Sequence, residues 1–580
     1  MNFLDIVSLG ITTELDILKR DTQRKSTLLY QHKGVFHADD LRIGNQDSLT
    51  VHDKFIKLLH KARQDNVSLL LAPEYSCPKN IIIEIISNPD IQPCDNKLWV
   101  LPGETLNKSE LEELKGLNNN DIHLYFEDVY SGSDKKYVDP LYYIFRGKYN
   151  GEEKLIVLVQ FKTYHMGVWT GDVERNNLIE GKTIYIIKNN MTSTRLISFI
   201  CSEAMNVSTY LTPEEKDKIL WDDMPFLILH PQINPDPSHQ NFVAFRKFIL
   251  SAEKKELISL NWGIDTLFRN KNWYESRGNT ARSGIFFKTN ELNTTQNRLI
   301  NNQNKGLYFL HINRSTYVYY LDGMPELFYI KNPSVHINDG EPAQKRREGP
   351  EVIEIFNYDN DLTEYVAFEF EKDKYLSKLH SRGFNNNYIL NPEISFIEKE
   401  RLINISIGNI NVKDGSKWYD VTRLESFNLR EADECNNRLT YIEDSYPVSE
   451  QIRNQYCEKF FELDQNILNK RESYPHSIKH LLDQELSLAF AENSSDYDYK
   501  YNIVNQSYES IRATVCYLGS YPAIENVNKA YDQLQNMFDK ESIGRNTVVV
   551  FYKQGNEIRH KSNTDAGNIT DFPDSYNSIM

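Results

Sequence analysis

A succession of short, unbroken apolar runs is the strongest constraint on how this chain folds. VSLLLA at 67–72, LIVLVQF at 155–161, RLISFI at 195–200, FLILHP at 226–231 and LISLNWG at 257–263 are strand-length and carry little polar alternation. Runs of this kind form strands covered on both faces, so the sequence predicts a sheet held between other layers. Helical periodicity falls between them. In VHDKFIKLLHKAR at 51–63, Phe55, Leu58 and Leu59 share one face, and NFVAFRKFILSAEKKE at 241–256 reads as a second helix. TIYIIKN at 183–189 and RLISFI suggest a hairpin or adjacent strands, and IFFKT at 285–289 and LYFLHI at 307–312 complete the sheet. The fold class is therefore α/β.

At 580 residues the chain exceeds one ordinary core, and its character changes near residue 330. PSVHINDGEPAQKRREGP reads as a linker or long insertion, rich in residues that interrupt regular structure. The division expected is 1–330 followed by 331–580. The second part reads as α+β: VIEIFNY and YVAFEF as strands, 449–490 as mainly helical, NVNKAYDQLQNMFDKE at 526–541 as a helix and NTVVVFYK at 546–553 as a strand. From Ser562 onward the chain reads as a loose tail.

Charge and cysteine usage narrow the function classes. A formal charge of -16 disfavours wrapping a phosphate backbone, and the KRR run at 345–347 beside Glu348 reads as a solvated loop. The six cysteines make no CxxC pair, which fits a reducing, cytoplasmic setting. No stretch approaches the roughly 20 apolar residues of a membrane span, and the N-terminus has no signal-peptide pattern, so a soluble protein is expected. There is no Walker A segment, no complete GxGxxG and no HExxH or Cys/His zinc pattern. No cofactor and no metal are expected.

Three reactive side chains stand at ends of apolar runs: Glu74 after VSLLLA, Lys162 after LIVLVQF and Cys201 after RLISFI. A backbone held in a core positions such groups better than independent loops do. The order PEYS at 73–76, QFKTYH at 160–165 and FICSEAMN at 199–206 resembles the nitrilase superfamily of carbon–nitrogen hydrolases. That resemblance implies an αββα sandwich over roughly residues 1–315, with Glu74, Lys162 and Cys201 as its Glu–Lys–Cys set. It further implies an auxiliary glutamate, best matched by Glu174, a glycine at Gly181, an acidic residue at Glu203 and an Arg246–Asn261 element. Homo-oligomerisation through the sandwich is also implied. The chain departs from common family wording in reading Cys201-Ser202-Glu203 and Lys162-Thr163-Tyr164-His165-Met166. Residues 268–284 read as a long polar insertion.

The resemblance implies a thiol-dependent hydrolase of a non-peptide carbon–nitrogen bond, an amide or a nitrile, acting through a thioester on Cys201. Glu203 is expected to cap the turn after Cys201 rather than move protons. Two other readings stay open. The domain serves as a binding or assembly scaffold in a multicomponent system such as bacterial antiviral defence, with residues 331–580 meeting a protein partner. Alternatively it is a nucleotide- or NAD-directed hydrolase, which requires Arg246, Arg277 and Arg282 to converge on Cys201. A Cys–His arrangement would draw on His165, His230 or His239, although no specific protease motif is present.

Overall fold

The computed structural model describes residues 2–19, 25–130, 134–166, 172–205, 207, 211–220, 224–234, 239–270, 273–276, 282–289, 292, 294–313, 316–331, 349–370, 383–394, 396–410, 418–419, 447–482, 486–492, 497–505 and 512–563. The chain divides into two compact units, one chiefly Met1–Glu369, the other chiefly Phe370–Phe427 and Val448–Met580.

The first unit is built on two mixed sheets. In the larger, strands run in the order Glu364–Ala367, Glu351–Asp359, Leu327–Lys331, Ser26–Tyr30, Leu69–Leu71, Leu98–Pro102, Pro140–Tyr149, Glu152–Phe161 and Ile122–Phe126, with Ile11–Thr12 paired to Pro140–Tyr149. Ser26–Tyr30, Leu69–Leu71 and Leu98–Pro102 are parallel, as their continuous apolar character demands. Helices Ser48–Gln64, Lys79–Ser87 and Lys108–Lys115 cover one face. Phe55, Leu58, Leu59, Ile81, Ile85 and Leu111 join a core with Leu28, Leu70, Trp99, Ile144 and Val157. Asp47 caps the first of these helices by accepting from Leu49 and Thr50.

The smaller sheet runs Arg195–Ser198, Phe226–Pro231, Lys255–Leu260, Gly284–Lys288, Thr316–Leu321 and Leu307–Asn313. Its first three strands are parallel. Helix Gln240–Ile249 lies on one face, packing Phe242, Phe245 and Ile249 with Ile197, Ile228, Leu257 and Phe286. The other faces of both sheets are equally buried: Leu29, Val100 and Leu158 in one and Leu196, Leu229 and Ile258 in the other are at most 1% exposed. Gln160 links the sheets by a polar bond. Gln160 Nε2 donates to the Ser198 carbonyl at 3.1 Å, and its Oε1 accepts from Tyr143 Oη at 3.0 Å.

Strands Pro140–Tyr149 and Glu152–Phe161 pair along their whole length, from Tyr149–Glu152 to Pro140–Phe161. Asn150 and Gly151 join them with φ of 50° and 91°. Two successive positive φ values make the primed two-residue turn that matches strand twist, and Asn-Gly is the pair that adopts it most readily. The turn fixes the register, and the register brings Lys162 opposite Asp139 at the other end.

The structure refines the sequence expectations at four places. Glu351–Asp359 and Glu364–Ala367 extend the larger sheet of the first unit through Leu327–Lys331, so that unit runs on to Glu369 rather than 330. Pattern reading stopped at the turn-rich segment between them, and this segment, including Lys345–Arg347, lies outside the described residues. Thr183–Ile186 pairs in parallel with Asn2–Asp5, and the expected adjacency of 183–189 and 195–200 is met at the antiparallel bridge Ile187–Leu196, whose residues exchange both backbone hydrogen bonds. The supposed insertion at 268–284 contributes a hairpin, Leu267–Asn270 with Trp273–Ser276, to a four-stranded sheet with Val35–Ala38 and Ile43–Asn45. Finally, 449–490 is mainly helical as expected, in helix Pro447–Phe461 and the turns that follow it to His476–Leu481, but Leu486–Leu488 is a strand.

The second unit has its own mixed sheet, ordered Leu486–Leu488, Ile503–Asn505, Arg512–Ser520, Val548–Gln554 and Glu557–Ser562. Arg512–Ser520 and Val548–Gln554 are parallel, with helix Ile524–Gln535 as their crossover. Leu402, Ile405, Leu463, Val515, Val549 and Phe551 lie in its core.

Replacing Gln160 with Leu leaves the Ser198 carbonyl and the Tyr143 hydroxyl without their partner in a dry region. Each lost bond costs about 1–3 kcal/mol, and a lowered thermal midpoint with retained secondary structure by circular dichroism is the expected result.

Candidate active site

The turn after strand Leu69–Leu71 carries Glu74. Tyr75 adopts a left-handed φ of 58° there, and the Trp262 indole donates to the Glu74 carbonyl at 2.7 Å. The turn is thereby tied to the smaller sheet, whose interior strand Lys255–Leu260 ends just before Trp262. Glu74 Oε2 accepts from the Ile233 backbone N–H at 3.0 Å, directly after strand Phe226–Pro231.

Lys162 is set by backbone bonds on both sides. Its N–H donates to Asp139 O at 2.9 Å and its carbonyl accepts from Gly181 N at 2.8 Å. The second contact needs a glycine: a Cβ on Gly181 would stand 2.4 Å from the Phe161 carbonyl oxygen. The Lys162 ammonium donates to Glu74 Oε1 at 2.7 Å and to Glu174 Oε2 at 2.9 Å. Asp139 Oδ2 stands 3.8 Å away. Glu174, on the short helix Val173–Asn177, also accepts from Tyr75 Oη at 3.1 Å and Met166 N at 2.5 Å.

Cys201 opens a short helical turn, Cys201–Met205, immediately beyond strand Arg195–Ser198. Its φ of 39° is a conformation that non-glycine residues adopt at a cost, usually where function holds them. The thiol faces Glu74, and Sγ also lies 3.8 Å from the Ile233 carbonyl. Ile233 therefore offers its N–H to the carboxylate and its C=O to the thiol. The Cys201 carbonyl accepts from His230 Nε2 at 3.0 Å, while His230 Nδ1 meets Ser259 Oγ at 2.8 Å.

Electrostatics follow from burial. Cys201, Glu74 and Lys162 are 0% exposed and Glu174 is 1% exposed. Burial, with Glu74 alongside, pushes the Cys201 thiol well up against the pull of Lys162, so the resting group is a thiol that needs a base. Burial also raises the Glu74 carboxyl, with Lys162 opposing and Glu174 reinforcing. For Lys162, burial favours losing the proton, but Glu174, Glu74, Cys201 and Asp139 outweigh it and hold the ammonium charged.

The structure brings Glu74, Lys162, Glu174 and Cys201 together. His230, lowered to about 4 by burial, is a neutral support for the Cys201 backbone and directs neither nitrogen at the thiol. His239 caps helix Gln240–Ile249, and His165 stacks on Tyr164 near Glu180. Arg246 and Arg282 lie over the rings of Phe286 and Tyr320, an edge-to-face pair in the smaller sheet, and Arg277 lies outside the described residues. Sequence reasoning missed Asp139, Tyr75, His230 as a backbone support and Trp262. Their only signal was position beside strand ends, which many residues share. Among the described residues, no group of three or more His, Cys, Asp or Glu side chains has an arrangement that could hold a metal. No helix among them is long and apolar enough to cross a membrane.

Glu203 braces the nucleophile turn. Its Oε2 accepts from Ile200 N at 2.5 Å, and its Oε1 accepts from Thr163 N at 2.5 Å and Thr163 Oγ1 at 2.8 Å. It thus joins the residue after Lys162 to the residue before Cys201. In Glu203→Gln one of those backbone N–H groups faces an NH2 donor, which costs about 1–3 kcal/mol. Urea unfolding of the two proteins checks this, with the variant expected at the lower midpoint.

No protein-family model and no curated protein matches the chain. Among solved structures, a mutant of the amidase from Nesterenkonia sp. AN1, showing Michael addition of acrylamide at the active site cysteine, is 12% identical. That match covers 42% of this chain and 80% of the amidase, with a TM-score of 0.25. The amidase from Nesterenkonia sp. is 14% identical over 42% of this chain and 77% of its own, with a TM-score of 0.24. A mutant in complex with butyramide is 12% identical over 43% and 79%, with a TM-score of 0.23. A further mutant, described as one of an amidase from the nitrilase superfamily, is 12% identical over 42% of this chain and 79% of its own, with a TM-score of 0.23.

Proposed function

We propose that the first unit is a cysteine-dependent hydrolase of a non-peptide carbon–nitrogen bond, with an amide as substrate, and that its two sheets and flanking helices form a helix–sheet–sheet–helix sandwich. The observation that carries the reading is the buried Lys162 ammonium, held at 2.7 Å and 2.9 Å by Glu74 and Glu174, with the Cys201 thiol facing Glu74.

Each group has a task in that reading. Glu74, raised by burial, takes the Sγ proton as sulfur attacks the carbonyl carbon. An ammonium has three N–H donors, and Lys162 spends two on Glu74 and Glu174. The third stabilises the oxyanion of the tetrahedral intermediate. Collapse breaks the C–N bond; the amine leaves with the proton carried by Glu74, and the acyl group remains on Cys201 as a thioester. Water then attacks, giving its proton to Glu74, and the carboxylic acid departs as the thiol is restored. Glu174 keeps the lysine oriented and charged throughout.

The full burial of all four side chains favours a second reading, a scaffold that keeps the constellation closed and turns nothing over.

Intact-mass analysis of the protein incubated with an amide panel separates the two. An acyl adduct on Cys201, lost in Cys201→Ser, supports the hydrolase; no adduct and no turnover across the panel support the scaffold. In the hydrolase reading, Glu74→Gln slows acylation by about 10²–10⁴-fold, while a rate equal to wild type removes Glu74 as the base.

A further inference from the structure

One buried carboxyl at this site has no part in the reaction above. Asp139 precedes strand Pro140–Tyr149 and pairs by its backbone with Lys162, and its Oδ2 lies 3.8 Å from the lysine nitrogen. The residue is 0% exposed, and neither carboxyl oxygen has a hydrogen-bond partner. The contrast with its neighbours is sharp. Glu174 receives three hydrogen bonds and Glu74 two. Tyr75 also faces Asp139 and pulls its carboxyl down a little, the smallest of the influences on it, but by geometry its hydroxyl donates to Glu174 Oε1 at 3.1 Å and leaves both Asp139 oxygens without a donor.

A buried carboxylate without donors is costly, whereas the neutral acid is much less so. Burial therefore raises the Asp139 carboxyl well above its ordinary range; Lys162 opposes this, and Glu74 and Glu174 add to it. The other ionisable groups facing it are known. Lys162 comes from the end of Glu152–Phe161, Glu74 and Tyr75 from the turn after Leu69–Leu71, Glu174 from Val173–Asn177 and Tyr142 from the strand that Asp139 precedes. Cys201 acts on the same lysine. With three carboxyls and one ammonium in a dry site, the carboxyl lacking donors is the one that keeps a proton.

We propose that Asp139 is a positioning residue that regulates the cysteine site: as the neutral acid it leaves the third Lys162 N–H to the reacting group, and on ionising it captures that N–H and quiets Cys201. This rests on Cys201 being the nucleophile. No proton needs to reach substrate from Asp139; its charge alone decides where the ammonium points.

The test needs no substrate. The full chain is alkylated with iodoacetamide from about pH 6 to about pH 10, a span across which thiols ionise, and Cys201 is followed by peptide mass with the partly exposed Cys94 as internal control. The wild-type Cys201 rate is expected to rise and then flatten as Asp139 ionises. Asp139→Asn, which cannot ionise, should match wild type at the acid end and exceed it by about tenfold at the alkaline end, the worth of one pKa unit. A variant-to-wild-type ratio constant across pH overturns the proposal, because altered packing alone scales every rate alike. If the asparagine variant does not fold, Asp139→Ser repeats the comparison. A wild-type curve that follows one thiol ionisation without flattening is also fatal to the idea. Labelling of Cys94 but never of Cys201 removes the nucleophile reading and this proposal with it, and is distinct from a constant ratio.

Discussion

A lysine ammonium sealed inside a protein survives only if carboxylates accompany it, and the first unit is arranged around that requirement at Lys162. The three acidic side chains near it come from different places: Glu74 from a turn after a parallel strand, Glu174 from a one-turn helix, Asp139 from the start of the hairpin strand that pairs with its own. None of these segments has reason to meet without the cation. Remove the charge and several buried carboxyls lose their partner at once. The site and the local fold are therefore one construction, the solution to a single electrostatic problem.

The Cys201 turn is held by a second set of constraints. Cys201 sits in a left-handed backbone conformation that the surrounding bonds must enforce. His230 fastens its carbonyl, Glu203 fastens the N–H before it, and Ile233 lines the thiol. The resulting thiol is protonated at rest, so its reactivity depends on Glu74 and on the lysine between the carboxyls. Ile233 couples these parts further, because one residue serves both the Glu74 carboxylate, through its N–H, and the Cys201 sulfur, through its C=O.

The second unit has its own stabilising logic. Arg401, 1% exposed, bonds to Glu398 at 2.7 Å and to the Tyr419 carbonyl at 2.9 Å, and lies over the rings of Tyr419 and Tyr499. Such a fully satisfied buried arginine is a packing device. Its sequence pattern was harder to read because short strands such as Leu486–Leu488 carry too little periodicity to stand apart from neighbouring helical turns. The strands Glu351–Asp359 and Glu364–Ala367 were recognisable as strands, yet their sheet was not, because hydrogen-bond partners across a long connection leave no local mark.

By itself the sequence determined the strand-length apolar runs, the amphipathic helix beginning at Ser48 and the placement of Glu74, Lys162 and Cys201 just beyond strand ends. Those features follow from local periodicity and from which residues can leave a covered strand. Tertiary structure alone decided that Glu174, among several crowded acids, is the one that meets Lys162, that Glu203 is a brace and that Asp139 lies beside the lysine at all. Burial is what separates these cases. An acidic residue reads the same in sequence whether water or a lysine satisfies it, and only the folded chain determines which partner, if any, its oxygens meet.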